Sequence, residues 1–299
     1  MTCITWKNAD ITHLVTLVTV EQSITAAGRE AQICALYIPD DSRFASLNPA
    51  CGDAVAITAG DHTLFTGFVE RVEWDSQSML LTMICFEASS LLAKNEVYRT
   101  FYGSPKEIAT ALCRICDLPI KDLWDKPGKR FIPPSCGRTL FSLLREAYGN
   151  DSVVESSDGA LVVRQTGTEE YALHKDAIFS LESAHDCDKL VTGAAVISAQ
   201  GKELASVTQD QWESRYGIRR RVFALVGSQS QAIGQAQSHL TAPAYTGTMI
   251  LPGDPGIRCG ALVKPEQGAY GLCDQYLIRR VVHKLEAGVF TTTIGMVRL

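Results

Sequence analysis

Hydrophobic and polar positions change period twice along this chain. His13-Leu14-Val15-Thr16-Leu17-Val18-Thr19-Val20 alternates apolar with polar or β-branched residues, the period of a half-buried strand. Ala31 to Ile38 follows the turn-prone Ala27-Gly28 and is broken by Pro39-Asp40-Asp41. Ala54 to Thr58, Leu64 to Trp74 and Met79 to Phe86 complete about five strands, with Gly60-Asp61 turning between the first two of these. Residues 1–92 therefore read as a small antiparallel barrel or sandwich.

The period then lengthens to 3.6. Ser104-Pro105-Lys106-Glu107 opens a helix: Ser as N-cap, Pro at the first helical position and Glu three residues after the cap. Ile108, Ala109, Leu112, Ile115 and Cys116 form its apolar stripe, and Asp117-Leu118-Pro119 ends it. A second helix is predicted from Thr139 to Tyr148, with Leu140, Leu143, Leu144 and Ala147 on one face and Gly149 as the stop. Val153-Val154-Glu155 and Ala160 to Val163 flank Asp158-Gly159, a hairpin signal. Strands resume at Val191 to Ala199 and Glu203 to Thr208, and Ser228 to Leu240 reads as one more helix, with Ala232, Ile233, Ala236 and Leu240 on one side.

One phrase occurs twice. Phe68-Val69-Glu70-Arg71-Val72-Glu73-Trp74, a short turn and Leu80 to Ile84 near the front match Leu277-Ile278-Arg279-Arg280-Val281-Val282-His283, a turn of equal length and Val289 to Ile294 near the end. Each is preceded by a Cys-Gly step into an apolar run, Cys51-Gly52-Asp53-Ala54-Val55 and Cys259-Gly260-Ala261-Leu262-Val263. A repeat of this kind marks one supersecondary unit used twice, and the two segments are expected to superpose. The framework is kept while the charges are exchanged, which speaks against a duplicated catalytic site. Apolar residues fall on both faces of each phrase under strict alternation, which predicts strands covered on both sides.

Composition narrows the function classes. The 299 residues are 46% hydrophobic and 20% charged, a folded globular balance, and the net charge of −5 supplies no basic surplus for nucleic-acid phosphates. Arg219-Arg220-Arg221 is the one basic run and reads as a solvated face or a contact with a carboxylate. No apolar run reaches the length of a membrane span and no secretory signal is evident. The ten cysteines follow no framework spacing and read as reduced thiols made in a cytoplasm.

Candidate chemistry is thin. Cys113-Arg114-Ile115-Cys116 lies late in an amphipathic helix with only Cys136 nearby, so core packing is favoured over a redox or metal role. His185-Asp186-Cys187-Asp188, with His174 upstream, reads as a polar connector. Glu70, Glu73 and Asp75 read as surface charge, because the second copy carries Arg279, Val282 and Lys284 there. GxSxG, GxxxxGK[ST] and GxGxxG patterns are absent, and Gly253-Asp254-Pro255-Gly256 is turn chemistry. No catalytic, cofactor-binding or metal-ligating residue is assigned, and no cofactor is expected.

The order of elements resembles the baseplate or tail hub proteins of long-tailed phages, of phage-tail-like bacteriocins (tailocins) and of defective prophages, the late-control D family. The residues that carry the resemblance are Leu64-Phe65-Thr66-Gly67-Phe68-Val69, the module opening Tyr102-Gly103-Ser104-Pro105-Lys106-Glu107-Ile108-Ala109, and the Asp158-Gly159 hairpin. Ser214-Arg215-Tyr216-Gly217 before an Ala-rich helix and the strand pair from His283 to Leu299 complete it. The resemblance implies an α+β, mainly β chain with two tail-tube-like β-barrel domains, 1–92 and 183–299, around an α/β middle module, 93–182. The helix at about 228–240 would be inserted into the second barrel. It further implies a non-enzymatic homotrimer of pseudo-sixfold symmetry, built in the bacterial host cytoplasm as part of a tail or a released particle. Its partners would be the hexameric tail tube, the trimeric central spike and a tape-measure protein, with DNA passing through the lumen without specific binding. Two other classes compete. A tail-associated cell-wall-degrading enzyme would need a further segment, and a carbohydrate- or receptor-binding β protein would need clustered aromatics, whereas Trp6, Trp74, Trp124 and Trp212 are dispersed.

Overall fold

The computed structural model describes residues 2–38, 47–173, 175–226, 229–266 and 275–299. The breaker at Pro39-Asp40-Asp41, His174 and the start of the third helix at Ser228 lie outside them. The chain falls into two compact units, Met1–Leu181 with Thr248–Val297 and Leu299, and Glu182–Gly247 with Arg298. The fold is mainly β.

The first unit opens with β1 (Thr2–Trp6), β2 (Ala9–Asp10), β3 (Val15–Ser23), β4 (Glu30–Leu36), β5 (Ala54–Ala59), β6 (His62–Asp75) and β7 (Leu80–Phe86). Two short strands thus join the five that alternation reveals. β1 and β2 are too brief to show a period, and their buried residues Ile4 and Trp6 are what tie them to the core. That core gathers Val18, Val20, Ile33, Val55, Ile57, Phe65, Val69 and Met83 between the curved strands.

The middle module contains α1 (Leu91–Lys94), β8 (Phe101–Gly103), α2 (Pro105–Ile115), β9 (Ile120–Leu123), β10 (Arg130–Ile132), α3 (Leu140–Tyr148), β11 (Ser152–Ser157), β12 (Ala160–Gln165) and β13 (Glu170–Leu173). α2 starts with a full capping box: the Ser104 hydroxyl accepts from Glu107 N–H while the Glu107 carboxylate accepts from Ser104 N–H. α3 is capped by Thr139 and stopped by Gly149 in a left-handed conformation. Their inward faces, Ile108, Leu112, Leu140, Leu144 and Tyr148, form one core with Val154, Leu161 and Val163 of the β11–β12 hairpin.

The chain then runs through β14 (Ser180–Asp186), β15 (Gly193–Ile197), β16 (Glu203–Thr208), α4 (Asp210–Tyr216), β17 (Arg220–Ala224), α5 (Ala232–Ser238), β18 (Ala244–Pro252), β19 (Leu262–Pro265), β20 (Tyr276–Glu286) and β21 (Val289–Arg298). Within the second unit, β16-β15-β17 form a small sheet, and Ala232 and Ala236 of α5 pack on Ala194, Val196 and Ala205. The third helix is shorter than its pattern predicts: a 3-10 turn covers Gln229–Gln231, and Ile233 stays exposed. What is inserted between β14 and β18 is thus not one helix but a three-stranded sheet with two helices.

The main sheet runs β14-β18-β21-β20-β3-β4-β7-β6-β5-β1-β2, with β19 beside β20 and β13 beside β19. Two identical orders lie within it. β3, β4, β5, β6 and β7 take the spatial order first, second, fifth, fourth, third; β14, β18, β19, β20 and β21 do the same. The copies meet where β20 pairs antiparallel with β3, Arg280 opposite Ser23 through Glu286 opposite Leu17.

Double cover is not what puts apolar residues on both faces of the repeated phrase. A β-bulge lies between Val69 and Arg71 of β6, so the strand changes phase: Val69 faces inward opposite Cys85, and Val72 faces inward opposite Met83. β20 shows the same spacing, with Ile278 and Val281 buried and Arg279 and Arg280 exposed between them. Phe68 and Trp74 remain 48% exposed.

Truncating the α2 core and its cap separates packing from capping. Leu112→Ala, at a fully buried position, is expected to cost about 2–5 kcal/mol in chemical denaturation. Ser104→Ala is expected to cost about 1 kcal/mol. Equal effects would contradict the assignment of this module's stability to its apolar core.

Candidate functional site

The repeat is preserved at the level of single hydrogen bonds. In the first copy Gly52 N–H donates to the Val69 carbonyl at 2.7 Å, and Val69 N–H donates to the Asp53 carbonyl at 2.9 Å. In the second, Gly260 N–H donates to the Ile278 carbonyl at 2.8 Å, and Ile278 N–H donates to the Ala261 carbonyl at 2.9 Å. The Cys51 thiol reaches the Glu70 carbonyl at 3.0 Å, and the Cys259 thiol reaches the Arg279 carbonyl at 3.0 Å. Both glycines sit at positive φ, +91° and +85°, which any Cβ would strain. Each Cys-Gly step is therefore a latch that holds a loop onto the strand where the strand changes phase.

The latches differ in surroundings. Cys51 is exposed, whereas Cys259 is buried and desolvation pushes its thiol up to about 12. Charges around the first latch are spent locally: Glu70 pairs with Lys94, Arg71 with Glu73 at 3.1 Å, and Asp75 accepts from Gln77 N–H and the Ser78 hydroxyl in the turn. Glu70, Glu73 and Asp75 do not converge on a common point of chemistry.

The second latch leads into a buried polar junction. Cys259 N–H donates to Gln22 Oε1 at 3.1 Å, and Gln22 Nε2 donates to Glu155 Oε2 at 2.7 Å. The same oxygen accepts from the Arg29 guanidinium at 2.7 Å, and Glu155 Oε1 accepts from Arg164 Nε at 2.8 Å. Arg29 also donates to the Leu64 carbonyl, and its backbone N–H reaches Glu87, which accepts from Ser156 N–H as well. Gln22 and Arg29 come from the first copy, Glu155 and Arg164 from the β11–β12 hairpin, and Cys259 from the second copy. Burial opposes ionisation of Glu155, but Arg29 and Arg164 outweigh it and hold the carboxyl at about 2. Glu87 behaves oppositely: burial raises it despite Arg29. Beside them His283 is buried on Thr292 Oγ1 at 3.1 Å; desolvation first, then Arg29, brings it down to about 4.

The remaining candidates are structural. Cys113 is buried in the α2 core with its thiol raised to about 12 by desolvation, Cys116 caps the helix, and Cys136 is exposed. The polar connector is in part a strand: His185 and Asp186 lie on β14, with the His185 ring between Tyr216 and Tyr245 at about 6 Å. A polar strand exposed on both faces offers no alternation to read. Asp186 accepts from Asp188 N–H. Arg219 donates to the Cys187 carbonyl, and Arg220 on β17 to Ser206 and Glu203. Asp254 folds its own turn by accepting from Gly256 N–H. Among the described residues no group of His, Cys, Asp or Glu could hold a metal ion, and no helix is long and apolar enough to cross a membrane. The junction around Glu155 escapes motif reading because two of its partners, Arg29 and Gln22, are 126 and 133 residues away. One signal does point to it: Gln22 stands in phase with the buried Val18 and Val20.

No family model and no curated relative matches the chain. Solved structures do. The 43 kDa tail protein of prophage MuSo2 from Shewanella oneidensis aligns over 99% of this chain and 97% of its own length, with a TM-score of 0.78 and 16% identity. The tail protein from Neisseria meningitidis MC58 aligns over 99% and 96%, with a TM-score of 0.71 and 12% identity. The E. coli c3393 protein, described as a component of the type VI secretion system with structural similarity to the T4 bacteriophage tail proteins gp27 and gp5, aligns over 99% and 76%, with a TM-score of 0.55 and 10% identity. The chain has the fold of these tail proteins.

Two measurements test the junction. Glu155→Gln leaves two buried guanidinium groups without their shared carboxylate and is expected to destabilise by about 3–5 kcal/mol in denaturant unfolding. For His283 the folded-state value lies below the unfolded 6.5, so its contribution is complete above that pH and is lost as pH falls toward 4. Glu155 adds a second loss from 4.5 downward. Thermal midpoints of the wild-type chain are expected to fall below pH 6.5, and His283→Gln is expected to flatten the limb between 6.5 and 4.

Proposed function

We propose that the chain is the baseplate hub of a phage tail or of a phage-tail-like contractile injection particle, a homotrimeric ring that adapts the hexameric tail tube to the trimeric central spike. The observation that carries this reading is the pair of β units with one strand order and one latch, joined edge to edge by β20 and β3. Three chains with two such units each present six similar elements to a sixfold tube, while chain identity keeps the threefold needed by a spike. In this reading one barrel is built on β3–β7 and the other on β14 with β18–β21, with the α/β module between them.

Support comes from three directions. The fold is shared over nearly the whole chain with two tail proteins, and c3393 is described as similar to tail proteins of T4. Asp75, Glu107, Cys51 and Glu155 are committed to a turn, a helix cap, a latch and the buried junction. A net charge of −5 suits a lumen through which a tape-measure protein and DNA pass without being held.

Co-expression with candidate tube and spike proteins tests the proposal. The expected result is a species of three times the chain mass in sedimentation, which co-elutes with both partners. A monomer that ignores both sinks it. Release of soluble fragments from peptidoglycan, abolished by one Glu or Asp substitution, would favour the cell-wall-degrading enzyme instead.

A further inference from the structure

The aromatic residues that cluster on this chain are not its tryptophans. β8 and β10 pair antiparallel as a two-stranded ribbon, with Tyr102 opposite Phe131 and Phe101 opposite Ile132. Alternation sends the second pair inward: Phe101 and Ile132 are buried and belong to the core of α2 and α3. The first pair points away from that core, and Tyr102 and Phe131 are 69% and 65% exposed. Tyr98, just before β8, is 68% exposed. Directly opposed residues place their Cβ atoms about 5 Å apart, so the Tyr102 and Phe131 rings share one platform. The core behind the ribbon fixes their backbone, which leaves little to be ordered on binding.

Cations stand beside the platform. Lys129 Nζ lies over the Tyr102 ring, 5.7 Å from its centroid, and Arg130 adjoins Phe131. Arg99 lies 5.9 Å from the centroid of the Phe101 ring, at the entry to β8. Four other cations of the module hold carboxylates: Lys94 holds Glu70, Lys121 Asp158, Lys126 Asp151 and Arg138 Glu146. Among the described residues Arg99, Lys129 and Arg130 hold none. Glu107, the acid on which Lys129 acts from α2, is already bound to Ser104 in the capping box.

Exposed rings rimmed by unpaired charge mark a contact surface. Tyr, Phe and Arg are also the residues enriched in protein–protein interfaces. A neutral sugar needs side-chain amides or carboxylates for its hydroxyls, and β8 and β10 carry neither. A nucleic-acid strand needs a basic groove several nucleotides long, whereas these cations flank a single pair of rings.

We infer that the Tyr102–Phe131 ribbon is a docking platform for another protein, which lays across it an acidic segment with an apolar or aromatic anchor. The anchor seats on the two rings, and the carboxylates beside it meet the unpaired cations. Charge then governs encounter and partner choice, and the rings govern how long the complex lasts. The platform lies on the α/β module, apart from the repeated β units, so the inference does not rest on the hub reading.

Fluorescence anisotropy with the full chain tests it. The probes are a labelled peptide in which glutamates flank phenylalanine and leucine, and the same peptide with lysine in place of glutamate. The acidic probe is expected to bind about tenfold tighter than the lysine probe at low salt, and to lose that margin as salt rises. Tyr102→Ser combined with Phe131→Ser is expected to weaken the acidic probe about tenfold, the scale of one lost hot spot. Lys129→Glu combined with Arg130→Glu is expected to reverse the preference between the probes. All four positions are exposed, so thermal midpoints are expected to stay within a few degrees of wild type. An acidic probe that does not bind, equal binding of the two probes, or binding that survives the paired serine substitutions would overturn the inference. So would oligothymidylate or a soluble cell-wall glycan that binds at Tyr102 and Phe131 more tightly than the acidic probe. None of these outcomes alters the mass measurement on which the hub reading stands.

Discussion

A single buried carboxylate holds this architecture together. Glu155 receives a guanidinium from each of two elements and an amide from a third, and through Gln22 it reaches the backbone of the second latch. Taking such a group out of water is costly unless every lone pair is matched. Here the matching groups come from the stretch Gln22–Arg29 and from the hairpin itself, so the charge is satisfied only when the hairpin sits against that stretch. Apolar packing alone would bind the hairpin to the sheet in many nearly equivalent ways; a carboxylate between two guanidinium groups accepts one.

That constraint gives the duplicated latches their meaning. Each Cys-Gly step uses a left-handed glycine and a thiol to hold a loop against the strand at its change of phase. In the first copy the latch faces solvent. In the second it is drawn into the junction, where Cys259 N–H finds Gln22 and the Arg279 carbonyl finds Ile24 N–H. The same local device thus serves once as an open end and once as an internal joint. The exchange of charges between copies follows: Glu70 meets Lys94 of the neighbouring helix, while Arg280 meets Glu21 of the neighbouring strand.

Much of this was legible in the residues wherever the cause was local. The capping box at Ser104 and Glu107, the Thr139 and Gly149 ends of α3 and the Asp158-Gly159 hairpin all lie within a few positions of the signals that specify them. The repeat was legible because its apolar framework and its Cys-Gly steps survived. The phase change inside it was not, because a bulge breaks the two-residue period on which face assignment depends. β14 was not legible either: with both faces exposed it carries no alternation, and Ser180 to Asp186 reads as a connector. The junction lay furthest out of reach, since Arg29, Glu87, Glu155 and Arg164 are ordinary surface residues until distant backbone brings them together, and only the in-phase Gln22 betrays them.

The place where the small sheet of β15, β16 and β17 departs from the second copy has a consequence for how such chains diversify. The polypeptide leaves the main sheet at the end of β14 and returns at the start of β18, and those two strands are immediate neighbours. A detour whose ends emerge side by side places little tension on the strands it interrupts, because loop closure depends only weakly on the length between them. The main sheet is therefore indifferent to what is spliced at that point, and a lineage can enlarge, trim or exchange the cassette there while the scaffold that surrounds it stays fixed.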